Sequence, residues 1–411
     1  MFVILVKCVD VLVPRKVLVI TYGGGHARML APVVARLSQN QDIQILVLAL
    51  TTAALEFESN IVKVLGYKDF FLDNPQVKKY GKLLAGELDN IIDHEETIAY
   101  LGQNYLELVE TLGEREAQER YRKQGRQAFA PINSLKIILQ KIKPDVVVST
   151  NSPRSEKAAI EAARQLSICS IALIDMFSIR CESWFSNNDF ADKVLVLSES
   201  IKNHLISKGR KESSIIVTGN PAFDSLVKYH KDNDVEIVSN RSSLPFTVLW
   251  ASQQESEYLI ETDSYGDPQL PIKLEKTLLD IFERHSEWHL VARNHPSEAP
   301  REYPDYVRVS RQSDNLLKLL SSVDVVITLT STLGFQGAIL GAGFVTVDCS
   351  IFTPTMPFSG MGYSIGVKGI GEVEEALVKL SDKKNTCQYV SVYSTENATD
   401  NVAREIISMI N

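Results

Sequence analysis

Residues Lys16–Leu37 read KVLVITYGGGHARMLAPVVARL. Val17 to Ile20 is a short, apolar, β-branched run, which predicts a buried strand of a parallel sheet. Gly23, Gly24 and Gly25 follow at once, then His26. From Ala27 to Leu37 the pattern is helical, with Leu30, Val33, Val34 and Leu37 on one face. A strand, a glycine turn and a helix N-terminus together let backbone approach a ligand closely. The same turn carries an imidazole able to move a proton near neutral pH. The rest of the chain reads as a frame that brings a second ligand to His26.

Working outward, strand and helix alternate. Strands are predicted at Asp42–Leu50, Asp145–Thr150, Ser170–Ile174 and Asp192–Leu197, with helices at Asn133–Lys143 and Ser155–Leu166. The stretch from Gly86 to Arg126, dense in Glu, Arg and Gln, predicts long surface helices. Lys231–Leu244 is polar without a period and reads as a linker. The rhythm then restarts, with strands at Phe246–Trp250, His289–Arg293, Val325–Leu329 and Phe344–Asp348. Helices are predicted at Leu274–His285, Asn315–Ser321, Leu333–Leu340 and Ala398–Ile410. The expectation is an α/β chain of two doubly wound Rossmann-like domains with a cleft between them. Residues 1–230 form the first domain and 245–395 the second, with 396–411 a terminal helix able to pack back on the first.

Composition narrows the function classes. The chain has 411 residues, 45% of them hydrophobic and 23% charged, as a two-domain globular protein should. A net charge of −8 argues against a nucleic-acid-binding surface. Cys8, Cys169, Cys181, Cys349 and Cys387 are dispersed without CxxC spacing, which reads as reduced cytosolic thiols. No apolar run is long enough to span a bilayer. Met1–Val13 is apolar but interrupted by Lys7 and Asp10, and reads as an edge strand or extension, or as a peripheral membrane contact. The expected location is cytoplasmic, with the inner membrane face as the alternative; an oligomer is left open.

Several strand ends carry polar residues suited to chemistry. GGGH is not GxGxxG, and no acidic residue closes the second strand, so a nicotinamide site is poorly supported. His26 opens a helix, where the dipole disfavours a protonated ring and leaves it available as a base; a capping or structural histidine is the alternative. His94, in DHEET, lacks partners at metal spacing and reads as a solvated helix residue. In the second half, Ser252 and Gln253 follow one strand. Arg293 and His295-Pro296 follow another, as cationic donors on a backbone that proline fixes. Thr330, Ser331, Thr332 and Gly334 open a helix whose N–H groups suit an anion; simple capping by Ser331 is the bland reading. On the acceptor side stand Gly24, Gly25, Asn151, Ser152 and Asp175, with Glu182 a further acidic candidate. TPTMPFSGMG, Thr353–Gly362, is a lid or a turn.

These motifs resemble the GT-B superfamily, the two-Rossmann-domain glycosyltransferases and their sugar-nucleotide 2-epimerase relatives. GGGH is similar to the glycine-histidine turn of the lipid-linked GlcNAc transferase of peptidoglycan synthesis, which implies that His26 lies in the acceptor half. VTGNPAFD, Val217–Asp224, resembles the segment closing the first domain in many of these proteins. His295-Pro296 resembles the nucleotide-phosphate motif of epimerases, CDP-glycerol transferases and bacterial sialyl- and Kdo-transferases. TSTLGFQGAILGAG, Thr330–Gly343, resembles the SGGxQEEAxxLG helix of the epimerases, placing Gln336 beside the nucleotide. Two departures count against epimerisation. The epimerase helix has a ribose-holding acidic residue after its glutamine, where this chain has Gly337, and the epimerase turn is of GTRPE type. Glu261, Asp263 and Gly266 only loosely imitate the acidic motif of CMP-sugar users.

The resemblance therefore implies a metal-independent glycosyltransferase without a cofactor, in surface polysaccharide or glycolipid synthesis. It would move a sugar from a nucleotide donor, UDP ahead of CMP, to a glycan or lipid-linked hydroxyl, with His26 as base. A 2-epimerase or nucleotide-sugar hydrolase, or a non-catalytic nucleotide-sugar binder, are the alternatives.

Overall fold

The computed structural model describes residues 14–57, 61–86, 93–177, 179, 182–259, 263–299, 301–382 and 397–410. Met1–Val13, Glu261, Cys8, Cys181 and Cys387 lie outside these. The chain divides into two compact units, residues 1–222 with 397–411, and residues 223–396.

Unit one is built on seven parallel strands: β1 (Arg15–Tyr22), β2 (Ile43–Leu50), β3 (Lys63–Leu65), β4 (Val146–Ser149), β5 (Cys169–Leu173), β6 (Lys193–Val196) and β7 (Ile215–Val217). Their spatial order is β3-β2-β1-β4-β5-β6-β7. The chain therefore reverses its direction of travel between β1 and β4. In open parallel sheets such a switch point leaves a crevice at the C-terminal strand ends, where ligands bind. Val17, Val19, Val47, Val146, Val148 and Ile171 are buried in one apolar core. The helix Gly24–Leu37 covers it with Leu30, Val33, Val34 and Leu37. The C-terminal helix Ala398–Ile410 adds Val402, Ala403, Ile406 and Ile410 to the same core. Arg36–Asp400 (2.6 Å) and Lys193–Glu405 (2.7 Å) tie it at the rim.

Unit two repeats the plan with β8 (Thr247–Ala251), β11 (His289–Arg293), β12 (Val307–Val309), β13 (Val325–Thr328), β14 (Gly343–Val347) and β15 (Ile365–Val367), all parallel. β9 (Tyr258–Leu259) and β10 (Ser264–Tyr265) form a separate antiparallel hairpin. The order β12-β11-β8-β13-β14-β15 puts a second switch point between β8 and β13. Both units are doubly wound and Rossmann-like, the architecture of the GT-B fold. Among the described residues no helix is long and apolar enough to cross a membrane.

Two expectations are corrected. The 231–244 stretch is not a linker; it belongs to the helix Asp224–Ser243. That helix buries only Leu226, Ile237 and Arg241, so it has no apolar period to read. Arg241 donates to the carbonyls of Leu320 (3.0 Å), Ser321 (3.1 Å) and Leu340 (3.1 Å), satisfying the ends of two neighbouring helices. The polar stretch after Gly86 is not all surface. The helix His94–Leu112 is buried along most of its length, and its buried carboxylates Glu96 and Glu107 are hydrogen-bonded. Glu107 there accepts from Asn133 N (2.8 Å) and from Ser134 N (2.9 Å) and Oγ (2.5 Å). Of the two readings of Thr353–Gly362, a lid or a turn, the structure has a run of turns, pinned by buried Phe358, which packs on Phe335 and Phe344.

Candidate functional site

The first switch point carries His26. The helix begins at Gly24, two residues before the histidine, so His26 sits in its first turn. Gly23 must be glycine, because its φ is 79°. Gly25 is free of its own fold, since a side chain there would meet nothing within 4 Å. Gly24 would place a Cβ 3.4 Å from Glu56, an ordinary contact.

His26 Nδ1 lies 2.7 Å from Thr150 Oγ1, at the end of β4. Thr150 in turn donates to Glu156 Oε2. A hydroxyl has one proton, so Thr150 must accept from His26, and Nδ1 carries the hydrogen. In the neutral ring Nε2 is then left with its lone pair. Glu156 is fully buried and accepts also from Tyr22 N (2.7 Å) and Ser152 N (2.9 Å). The arrangement holds one ring nitrogen so that the other is available as a base.

The next strand end supplies a carboxylate. Asp175 follows β5, and its Oδ1 accepts from Asn151 Nδ2 (2.9 Å) and from Met176 N (2.8 Å). Asn220 holds the Asp175 carbonyl (2.6 Å). Among the described residues nothing donates to Asp175 Oδ2, and the residue is partly exposed. Ser152 is buried, its N–H is given to Glu156 Oε2, and its carbonyl accepts from Lys157 N (3.1 Å). Glu182 is engaged by His204 (3.0 Å) and Lys208 (3.0 Å). Burial pushes its carboxyl up, but these two partners outweigh it and hold the group below its usual value.

The second switch point is closed by a clasp. Gln253, after β8, accepts from Thr330 N (2.8 Å) and donates to Thr330 Oγ1 (2.9 Å), after β13. This fixes the start of the helix Thr332–Ile339, where Ser331 Oγ caps Leu333 N (3.2 Å). Thr332 N–H, Thr332 Oγ1 and the Gln336 amide have no partner among the described residues, and Thr332 and Gln336 share a helix face. Gly334 serves packing: a Cβ there would lie 2.0 Å from the Phe344 ring.

The histidine–proline turn after β11 is held by Glu298. It accepts from His295 N (2.8 Å), Ser252 Oγ (3.0 Å) and Arg301. Arg301 also reaches buried Glu275 (2.6 Å), which accepts from Trp250 Nε1 (3.0 Å) and the Tyr303 hydroxyl (2.8 Å). Burial and the Glu275 carboxylate hold the Tyr303 phenol far above its usual value. Ser297 N donates to His295 Nδ1 (3.2 Å), so the neutral ring presents Nε2–H to solvent as a donor. Pro296 is exposed beside it.

Two members of the expected donor set are spent elsewhere. Ser252 is buried and committed to Glu298. Arg293 donates to Ser310 Oγ (2.8 Å), Arg311 O (2.6 Å) and Gln312 Oε1 (3.3 Å), tying down that loop instead of offering a free cation. What remains open is a set of neutral donors at a helix N-terminus, suited to a phosphate. Asp263 accepts from Tyr258 (2.6 Å) in the β9–β10 hairpin, and Gly266 packs its backbone on Ser256 and Ile351. Neither stands at a strand end of the six-stranded sheet.

Sequence reasoning missed Thr150, Glu156, Glu298 and the Glu275–Arg301–Tyr303 group. An acid in a helix's first turn is commonplace, and only its complete burial marks Glu156 as a partner of the histidine.

No family model matches the chain, and no curated protein matches it. Solved structures do share its fold. The UDP-GlcNAc 2-epimerase from Neisseria meningitidis, bound to UDP-GlcNAc, is similar at TM-score 0.59 and 13% identity, over 96% of this chain and 100% of that one. The Methanocaldococcus jannaschii UDP-GlcNAc 2-epimerase, in complex with UDP-GlcNAc and UDP, gives 0.56 and 14%, over 96% and 99%. The glycotransferase of kitacinnamycin gives 0.55 and 12%, over 97% and 100%.

Proposed function

We propose that this chain is an enzyme acting on a UDP-linked sugar, and that its reaction is inversion of the sugar at C2. The observation that carries the reading is the presence of two acid–base groups, His26 and Asp175, in the segments that follow β1 and β5, the strands flanking β4. Neighbouring strands lie about 4.8 Å apart, so the ends of β1 and β5 are separated by roughly 10 Å, room for one sugar ring. Inversion needs a proton taken from one face and returned on the other; sugar transfer needs a single base. The likeness to epimerase folds supports the same choice over transfer.

C2 of a pyranose has no adjacent carbonyl, so loss of its proton must accompany breakage of the C1–O bond to the nucleotide. The diphosphate leaves with the bonding pair and later returns to C1 as C2 regains a proton from the opposite face. His26 Nε2 takes or gives one proton and Asp175 Oδ2 the other. Within unit two, Thr332 N–H, Thr332 Oγ1, Gln336 and His295 Nε2–H are neutral donors of the kind that stabilise a diphosphate as its charge grows.

One observation favours a second reading, sugar transfer to a hydroxyl. After Gln336 stands Gly337, where a Cβ would lie 2.5 Å from Val326. That position admits no ribose-holding carboxylate. Incubation with UDP-GlcNAc and no acceptor separates the two: accumulation of a C2 epimer supports the first, and turnover that begins only on adding a hydroxyl acceptor supports the second.

A further inference from the structure

Unit one holds a second concave feature, a cavity of ≈ 450 Å³ lined by Arg154, Lys157, Arg164 and Trp184. Its cations are held in two different ways. Arg164 is neutralised by Glu161 (2.5 Å), which also accepts from Gln165 (2.9 Å). Arg154 and Lys157 instead rest on aromatic faces. The Arg154 guanidinium lies 4.5 Å from the centre of the Tyr22 ring, and Lys157 Nζ lies 4.4 Å from that of Trp184. Neither makes a hydrogen bond or ion pair from its side chain to any described residue.

The distinction matters for what the cavity can bind. A carboxylate partner consumes a cation's donors and cancels its charge. A ring face fixes the cation's position through its quadrupole and leaves the N–H groups unspent. Arg154 is the residue before the helix Ser155–Gln165 and Lys157 lies in its first turn, so the helix end adds positive potential. The carboxylates on the lining are Glu161, already engaged, and exposed Asp189.

We propose that this cavity is an anion site that takes a phosphoryl group. Arg154 supplies a planar fork and Lys157 a point charge, a combination matched to a tetrahedral dianion. The site stands on unit one alone and does not depend on the reading of the reaction.

Calorimetric titration of the full chain at low salt tests it, using inorganic phosphate, pyrophosphate and glucose 1-phosphate as probes. Arg154→Gln and Lys157→Gln should each weaken binding about tenfold, as expected for loss of one charge-assisted contact. The same tenfold losses should appear when Arg154→Gln and Lys157→Gln are made in a His295→Ala background, which separates this site from any phosphate held in unit two. Tighter binding of the sugar phosphate than of phosphate identifies a phosphorylated ligand, the reverse a free ion; either supports the site. If Arg154→Gln does not fold, Lys157→Gln decides alone. Wild-type affinity in the lysine variant, or no binding of any probe at millimolar concentration, overturns the proposal.

Discussion

His26 Nδ1 lies 2.7 Å from Thr150 Oγ1, whose single proton is already given to Glu156. Three residues, one at a strand end and two in the first turns of helices, thus fix a tautomer. The neutral ring should be Nδ1-protonated, and ¹⁵N-edited spectra of the labelled chain should show it. Thr150→Val should release that preference and lower kcat by about tenfold or more with little change in KM. His26→Ala should cost about 10²–10⁴ in rate, the usual worth of a positioned acid or base. A Thr150→Val protein with an unchanged tautomer and an unchanged rate contradicts the relay.

Gln253 performs the corresponding task in unit two by gripping both the N–H and the hydroxyl of Thr330. Gln253→Ala should free the start of the helix Thr332–Ile339 and weaken UDP binding by about tenfold, the scale of one or two lost hydrogen bonds. Titration calorimetry measures it. The melting temperature should move little, because the clasp sits at a loop and not in the core.

Glu96 gives a pH dependence unconnected with catalysis. Burial raises its carboxyl from 4.5 to about 7, against the opposing pull of the Lys68 and Tyr67 N–H groups. The folded chain therefore keeps a proton that the unfolded chain releases above pH 4.5. This group's contribution to stability is complete below that pH and is lost as pH rises toward 7. Denaturation midpoints of the wild type should carry this downward component between pH 5 and 8. Glu96→Gln, which cannot ionise, should lack it. Identical pH slopes in the two proteins exclude the assignment.

Ile406, fully buried in the core of unit one, comes from the C-terminal helix. Ile406→Ala should cost about 2–5 kcal/mol, the range for truncating a buried isoleucine. Urea denaturation measures the loss. A cost below 1 kcal/mol, on the scale of a surface change, would place the helix outside the cooperative core.

The central strands of both sheets were legible because central parallel strands are continuous apolar runs: Val17–Ile20, Val146–Val148 and Val325–Ile327 are buried on both faces, whereas the three-residue edge strands β3, β7, β12 and β15 are too short to show such a run. The polar strand ends were legible for the complementary reason, that polar side chains follow these runs abruptly. Composition misled where polar groups are buried with partners. Arg241 hid the helix Asp224–Ser243, and Glu107, Gln103 and Asn104 disguised His94–Leu112 as a surface element. At the candidate sites, sequence identified residue types but not their commitments. Arg293 and Ser252 look like ligand donors until their partners are known, and Gly334 looks like a phosphate glycine until Phe344 is placed against it. These commitments come from residues up to dozens of positions away, such as Glu298 for Ser252, and carry no local pattern.

The central claim is inversion at C2, and isotope exchange tests it most directly. UDP-GlcNAc is incubated with the full chain in D₂O, without acceptor, and followed by proton NMR. The account predicts loss of the C2 proton signal as deuterium enters from solvent, together with the C2 epimer, both suppressed in His26→Ala. A C2 proton fully retained while the wild-type chain binds UDP would contradict it.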